Sequence, residues 1–126
     1  MVGFVIVSHC RKLAEGVVEL TKMMAEDVPI LAAGGLEDGD FGTSFEKIYS
    51  AVEEVYSDDG VIMLMDMGSA VMTAEMVIES MEGRKVVMAD CPLVEGAVTG
   101  TCDADSGMSL EEILEDLQDV KGQSKF

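Results

Sequence analysis

Short runs of uniformly apolar residues alternate along the chain with longer stretches in which apolar residues recur every three or four positions. Continuous apolar runs rich in β-branched residues are typical of strands that are buried on both faces of a parallel sheet. Four segments have this character, although the last is shorter and flanked by charge: residues 2–7, 30–33, 61–65 and 85–89. We therefore predict four strands.

The stretches between and after these runs have the periodicity of amphipathic helices. In residues 11–25, four apolar side chains recur at spacings of four, three and four, and we expect them to form the buried face of the first helix. They are Leu13, Val17, Leu20 and Met24. Thr43 or Ser44 is placed to cap the second helix, which carries Ile48, Val52 and Val55 on one face. Three more helices are predicted at residues 68–81, 94–103 and 109–117.

The predicted element order is β-α-β-α-β-α-β-α-α. Strands that alternate with helices favour a parallel sheet with helices packed on both faces. We therefore predict the α/β class: a three-layer sandwich with a four-stranded, mainly parallel sheet. The length of 126 residues suits one domain, which we place at residues 1–120, with a C-terminal tail at residues 121–126.

The composition of the chain indicates where in the cell the protein works. No apolar run approaches the roughly 20 residues that a membrane-spanning helix needs. The apolar N-terminus lacks the basic leader and small-residue cleavage site of a signal peptide. We therefore expect a cytoplasmic protein.

The formal net charge is −17, from 25 acidic and 8 basic residues. Nucleic-acid binding and docking on anionic membranes both need a basic surface, so we expect neither partner. The acidic surface suits either solubility in a high-salt cytoplasm or attraction of a basic partner.

The three cysteines, Cys10, Cys91 and Cys102, are an odd number without paired short spacings. They predict neither a disulfide framework nor a zinc site. A metal site made of His9, Cys10 and Cys91 has no ligand spacing to support it. The chain also lacks a Walker loop and a dinucleotide-binding fingerprint, and we expect no metal and no cofactor.

Polar residues gather where the predicted strands end. His9, the only histidine, follows the first strand, and Asp66 follows the third. In parallel α/β sheets, ligand sites lie at the carboxyl ends of the strands. An imidazole is a good nucleophile near neutral pH. His9 is therefore our candidate phosphoryl acceptor, and Asp66 is the candidate hydrogen-bond partner that fixes its tautomer.

Two helix starts flank this pair. The backbone N–H groups of Gly68 and Ser69 are candidate ligands for phosphate oxygens, and Thr43 and Ser44 offer two hydroxyl groups at another helix start. These residues also have a purely structural interpretation. Asp66 and Ser69 are ordinary helix-capping types, and a histidine at a strand end need not react. The residues alone leave both interpretations open.

The motifs at these positions resemble a known family. They are residues 5–9, 13–16, 32–35 and 42–44, then MDMGSA at 65–70 with Glu75, and PLVEG at 92–96. In this order they resemble the mannose-type enzyme IIA family of the sugar phosphotransferase system. The last two motifs favour its branch in phosphoenolpyruvate-dependent dihydroxyacetone kinase, known as DhaM. The resemblance covers nearly the whole chain.

The resemblance implies a phosphotransferase subunit that carries the phosphoryl group on His9, oriented by Asp66. It implies a homodimer, the small phosphocarrier HPr as donor, and the nucleotide-binding subunit of dihydroxyacetone kinase as acceptor, whose bound ADP becomes ATP. Cys10 stands where the family more often has serine. Some members carry further phosphocarrier domains, and we expect this chain to obtain its phosphoryl group from separate proteins.

Three other functions remain as alternatives. One is an enzyme IIA of a mannose-type sugar uptake system. Another is a signalling receiver, whose fold also has an aspartate after the third strand, but which needs acidic residues where Ser8 and His9 stand. The third is a non-catalytic regulatory module that binds a ligand in the same cleft.

Overall fold

The computed structural model describes residues 1–126. The strands are β1 (Gly3–Ser8), β2 (Ile30–Gly34), β3 (Val61–Met65) and β4 (Val86–Met88). The α-helices are α1 (Arg11–Lys22), α2 (Phe45–Val55), α3 (Val71–Ser80), α4 (Leu93–Asp105) and α5 (Leu110–Lys121). A 3₁₀ turn at Gly68–Ala70 leads directly into α3. The predicted element order is confirmed.

All four strands are parallel and lie in the order β2–β1–β3–β4. Successive residues of a strand point to opposite faces of the sheet. Phe4 and Ile6 of β1 therefore pack with α1, α4 and α5, whereas Val5 and Val7 pack with α2 and α3. The sheet thus separates two apolar cores, and the predicted α/β sandwich is confirmed.

The predicted buried face of α1 is wrong in part. Val17 is buried, but Leu13 and Leu20 are 43% and 38% exposed, and Met24 lies beyond the helix end at Lys22. The buried residues of the helix are Ala14, Val17 and Thr21.

Close contact between α1 and β2 explains this face. A Cβ atom on Gly34 would lie 2.7 Å from the carbonyl oxygen of Cys10 and 2.8 Å from Cβ of Ala14. The helix therefore turns its small side chains towards the sheet, and its leucines lie at the surface. The contact lies at the start of α1, which begins at Arg11, two residues after His9.

Other boundaries follow the prediction more closely. Ile48, Val52 and Val55 form the buried face of α2 as predicted. Helix α5 runs to Lys121 rather than residue 117, and Val120 in its last turn is buried against the core. No helix has both the length and the apolar character needed to cross a membrane.

Candidate functional site

His9 lies at the carboxyl edge of the sheet, between the central strand β1 and the start of α1. Two backbone hydrogen bonds fix its surroundings. The N–H of Gly42 donates to the carbonyl oxygen of His9 at 2.9 Å, and the N–H of Asp66 donates to that of Val7 at 3.1 Å. The His9 side chain remains 23% exposed, whereas that of Asp66 is 10% exposed. The ring is therefore held in place and still reachable from solvent.

Asp66 holds one nitrogen of the His9 ring. Nδ1 lies 3.1 Å from Oδ1 and 3.3 Å from Oδ2 of the carboxyl group. The backbone N–H groups of His9 and Met67 also donate to this carboxyl group, at 3.0 and 2.7 Å. Burial raises the pKa of Asp66, but these hydrogen bonds, together with one from Ser8, lower it below its ordinary value.

The ionised Asp66 determines which tautomer of His9 fits the site. A carboxylate only accepts hydrogen bonds, so Nδ1 must carry the proton in this contact. The Nε2 lone pair is then free to accept, and the hydroxyl group of Ser69 lies 3.0 Å from it. Nε2 is therefore the nucleophilic nitrogen of this arrangement.

Gly68 and Ser69 begin the 3₁₀ turn in front of α3, and both are exposed. The first N–H groups of a helical segment have no acceptor within the helix. The Ser69 hydroxyl contacts the His9 ring, so this helical start lies next to the histidine. The predicted residues His9, Asp66, Gly68 and Ser69 thus lie together.

Thr43 and Ser44 lie at the start of α2 and make no hydrogen bond to His9. The Thr43 hydroxyl pairs with that of Thr73 at 2.9 Å, which joins this loop to α3. The Ser44 hydroxyl accepts from the N–H of Lys47 at 3.2 Å and donates to the Glu37 carboxylate. Contact of either hydroxyl with a phosphoryl group would require it to give up these partners.

Ser8 belongs to the network but was not among the predicted site residues. It is fully buried, and its hydroxyl group donates to Oδ2 of Asp66 at 2.9 Å. Strand parity is the signal that points to it. Residues 4, 6 and 8 share one face of β1, just as 62, 64 and 66 share one face of β3 and its extension.

The cysteines form no second reactive centre. All three are free thiols. Burial and the charge of Asp90 raise the pKa of Cys91, which keeps it in the unreactive thiol form. Cys10 is the residue that precedes α1, and its side chain makes no capping hydrogen bond. No group of three or more His, Cys, Asp or Glu side chains is arranged to hold a metal ion.

Comparison with known proteins identifies similar chains. The family model EIIA-man, described as "PTS system fructose IIA component", matches residues 3–115. The chain is 37% identical to the "PTS-dependent dihydroxyacetone kinase, phosphotransferase subunit DhaM" of Lactococcus lactis, over 92% of this chain and 93% of that protein. It is 36% identical to the "PEP-dependent dihydroxyacetone kinase 1, phosphoryl donor subunit DhaM" of Listeria innocua, over 94% of each chain. The Escherichia coli phosphoryl donor subunit DhaM is 38% identical, but the match spans only 26% of that longer protein.

Solved structures give the same fold. A crystal structure of a protein of unknown function superposes with a TM-score of 0.87 at 29% identity, covering 99% of this chain and 98% of the other. A sigma-54 interaction domain protein from Enterococcus faecalis superposes with a TM-score of 0.72 at 19% identity, covering 93% and 87%. The second likeness concerns the fold alone.

Proposed function

Because the chain belongs to the mannose-type enzyme IIA family, and within it to the dihydroxyacetone kinase branch DhaM, we propose that it is a phosphocarrier. It accepts a phosphoryl group on Nε2 of His9 from HPr and passes it to ADP on the nucleotide-binding subunit of dihydroxyacetone kinase. One observation carries the proposal: Asp66 holds Nδ1 of the chain's only histidine, and Nε2 is left with its lone pair at the exposed edge.

In the first step, Nε2 of His9 attacks the phosphorus of phosphorylated HPr. A new N–P bond forms as the N–P bond in the donor breaks, and its electrons return to the donor's histidine. The His9 ring then carries a phosphoryl group on Nε2 and a proton on Nδ1. Asp66 stabilises the positive charge that develops on the ring.

The second step reverses the first with a different partner. A β-phosphate oxygen of ADP attacks the phosphorus, the Nε2–P bond breaks, and its electrons return to Nε2. ATP is formed, and His9 regains its starting protonation state. Each step exchanges one bond to phosphorus for another and changes no oxidation state, so the scheme needs no redox partner.

Nearby donors suit a phosphoryl group on Nε2. The Ser69 hydroxyl must leave its contact with Nε2 as the new bond forms, and from its position it then donates to a phosphoryl oxygen. The N–H groups of Gly68 and Ser69 supply further donors at a helix start. We assign Thr43 and Ser44 a supporting part, in which their hydroxyls exchange present partners for phosphoryl oxygens.

We further propose that the protein acts as a cytoplasmic homodimer. The support for a homodimer is membership of the family, and sedimentation velocity tests it directly.

Phosphoryl transfer between proteins requires an exposed acceptor. The His9 side chain at the edge of the sheet meets this requirement.

The sugar-transport branch is the second candidate, because the matching family model is described as a fructose IIA component. In that case the same phosphoryl group on His9 would pass to a sugar-permease component. A signalling-receiver function is disfavoured for two reasons. The Asp66 carboxylate is hydrogen-bonded to the His9 ring, and β1 does not end in an acidic residue.

The test uses phosphorylated protein mixed with a purified kinase subunit that carries radiolabelled ADP. We expect labelled ATP to appear on the subunit, and none with the His9→Ala variant. If no ATP forms but a purified sugar-permease component becomes phosphorylated, the transport branch is correct. If neither partner accepts the group, the phosphocarrier proposal is wrong for both branches.

A further inference from the structure

We propose that Ser8 is a positioning residue for phosphoryl transfer, whose hydroxyl group holds the Asp66 carboxylate in the orientation that binds Nδ1 of His9. This inference rests on the proposed function and deepens it. Ser8 acts through Asp66 and touches neither the phosphoryl group nor the reacting nitrogen.

The sheet brings Ser8 and Asp66 together. Val7 of β1 pairs with Met65 of β3, so the next residue of each strand lies beside the other. Both side chains continue the face that carries Ile6 and Leu64. An unpaired hydroxyl in this core would be costly, and its hydrogen bond to Asp66 satisfies it.

The two oxygens of Asp66 receive different donors. Oδ2 accepts from the Ser8 hydroxyl at 2.9 Å and from the N–H of His9 at 3.0 Å. Oδ1 accepts from the N–H of Met67 at 2.7 Å and lies nearest to Nδ1 of the ring. Four donors from three residues thus hold the rotation of the carboxylate about its last torsion angle.

Removing Ser8 would release one side of this arrangement. Oδ2 would keep only the His9 N–H and the longer contact with the ring at 3.3 Å. The carboxylate would then have more rotational freedom, and its hydrogen bond to Nδ1 would no longer be held in one geometry. A looser Nδ1–H contact stabilises the charged ring less well during transfer.

A purely structural role for Ser8 must be separated from this one. The same hydroxyl oxygen accepts from the N–H of Cys10 at 3.0 Å, at the start of α1. Because that N–H is a donor, the single hydroxyl hydrogen points to Asp66. Loss of Ser8 would therefore disturb both the helix start and the carboxylate, and fold stability alone cannot tell them apart.

The experiment measures single-turnover phosphoryl transfer from phosphorylated HPr in four proteins: wild type, Ser8→Ala, Asp66→Asn and the double variant. We expect Ser8→Ala to slow transfer about tenfold, the usual scale for losing a hydrogen bond to a charged group. Since Ser8 acts through Asp66, Ser8→Ala should add no further slowing in the Asp66→Asn background. Thr21→Val is the matched control: it removes another buried hydroxyl, bonded to the carbonyl of Val18, and should keep the wild-type rate.

A second readout does not depend on any partner. The ¹⁵N chemical shifts of the His9 ring report which nitrogen carries the proton. We expect Nδ1–H to predominate in the wild type and in Thr21→Val, and its population to fall in Ser8→Ala. If the wild type accepts no phosphoryl group at all, the proposed function fails, and this comparison still decides the role of Ser8.

Three results would overturn the inference: an unchanged rate in Ser8→Ala, an unchanged ring tautomer, or slowing that multiplies with that of Asp66→Asn. If Ser8→Ala does not fold, Ser8→Cys replaces it in every comparison, because the thiol is close in size and donates only weakly. A wild-type rate and tautomer in folded Ser8→Cys would then show that the strong hydroxyl donor is not needed.

Discussion

Asp66 accepts hydrogen bonds only, and its partners in the site are all donors. Replacing it with asparagine keeps the shape but puts an NH₂ group against one of them. If that group faces Nδ1, the ring proton must move to Nε2, where it blocks the nucleophile. The role of this one carboxylate is therefore to select the tautomer that can react.

We predict that Asp66→Asn slows phosphoryl transfer by about 10²-fold or more, as for orienting carboxylates in other histidine sites. Rapid-quench measurement with phosphorylated HPr gives the rate, and circular dichroism confirms the fold. Glu79→Gln, on the exposed surface of α3, removes the same charge and serves as control. Normal transfer by folded Asp66→Asn would exclude Asp66 from the mechanism.

At the scale of elements, α4 and α5 pack through apolar residues and also bring two carboxyl groups together, those of Asp103 and Asp116. Oδ2 of Asp103, in the last turn of α4, is buried without a hydrogen-bond partner. Burial first, and then the neighbouring Asp116 carboxyl group, raise the pKa of Asp103 to about 7 from 3.8. The folded state therefore binds this proton more tightly than the unfolded state does, so this group stabilises the fold at low pH.

The sign of the pH dependence follows from that shift. Between about pH 4 and 7 the folded state holds more protons at Asp103, so the group's contribution to the free energy of unfolding falls as the pH rises. We predict that Asp103→Asn makes urea unfolding less dependent on pH in this range. Asp105→Asn, an exposed residue of the same helix end, is the control for general charge repulsion. Equal slopes in the two variants would contradict the assignment.

The elements differ in how far the sequence alone predicts them. The strands and the buried face of α2 are evident from apolar patterns, because burial on the sheet follows the side chains themselves. The face of α1 is not, because the close approach at Gly34 leaves room for the small Ala14 and none for a leucine. The contact between α1 and β2 determines which face of the helix is buried. The periodicity of the α1 sequence does not reveal that contact.

The residues of the candidate site also differ in whether the sequence alone predicts them. His9, Asp66 and Ser69 could be grouped from sequence, since the carboxyl ends of neighbouring parallel strands meet at one edge. Strand parity puts Ser8 on the same face of β1 as residues 4 and 6, but only the register between β1 and β3 shows that Asp66 is its partner. The hydrogen bond between Thr43 and Thr73 likewise depends on how α2 and α3 pack.

For the whole molecule, the distribution of its few cations matters more than the net charge of −17. Four of the eight basic side chains form ion pairs with carboxylates, and Lys22 and Lys47 bind backbone carbonyls. Arg11 and Lys12 do neither, and both lie at the start of α1 beside His9. The site edge thus has two cations available to a phosphorylated or acidic partner.

We predict that Arg11→Ala combined with Lys12→Ala slows phosphoryl transfer to the kinase subunit by about tenfold at low salt, and less at high salt, because salt screens exposed charges. Stopped reactions at two ionic strengths measure the effect. Arg84→Ala with Lys85→Ala removes the same charge beside the start of β4, at the opposite edge of the sheet, and should have little effect. Equal slowing by both pairs would point to net charge alone.

The proposed phosphocarrier mechanism depends most on His9 carrying the phosphoryl group. Wild-type protein and His9→Ala are incubated with labelled phosphoenolpyruvate and the general carrier proteins, and the label is tested in acid and alkali. After separation from the carrier proteins, which are labelled on their own histidines, we predict label on the wild type and none on His9→Ala, as a phosphoimidazole that survives alkali and is lost in acid. Labelling of folded His9→Ala at the wild-type rate, or a label lost in alkali as from an aspartyl phosphate, would contradict the account.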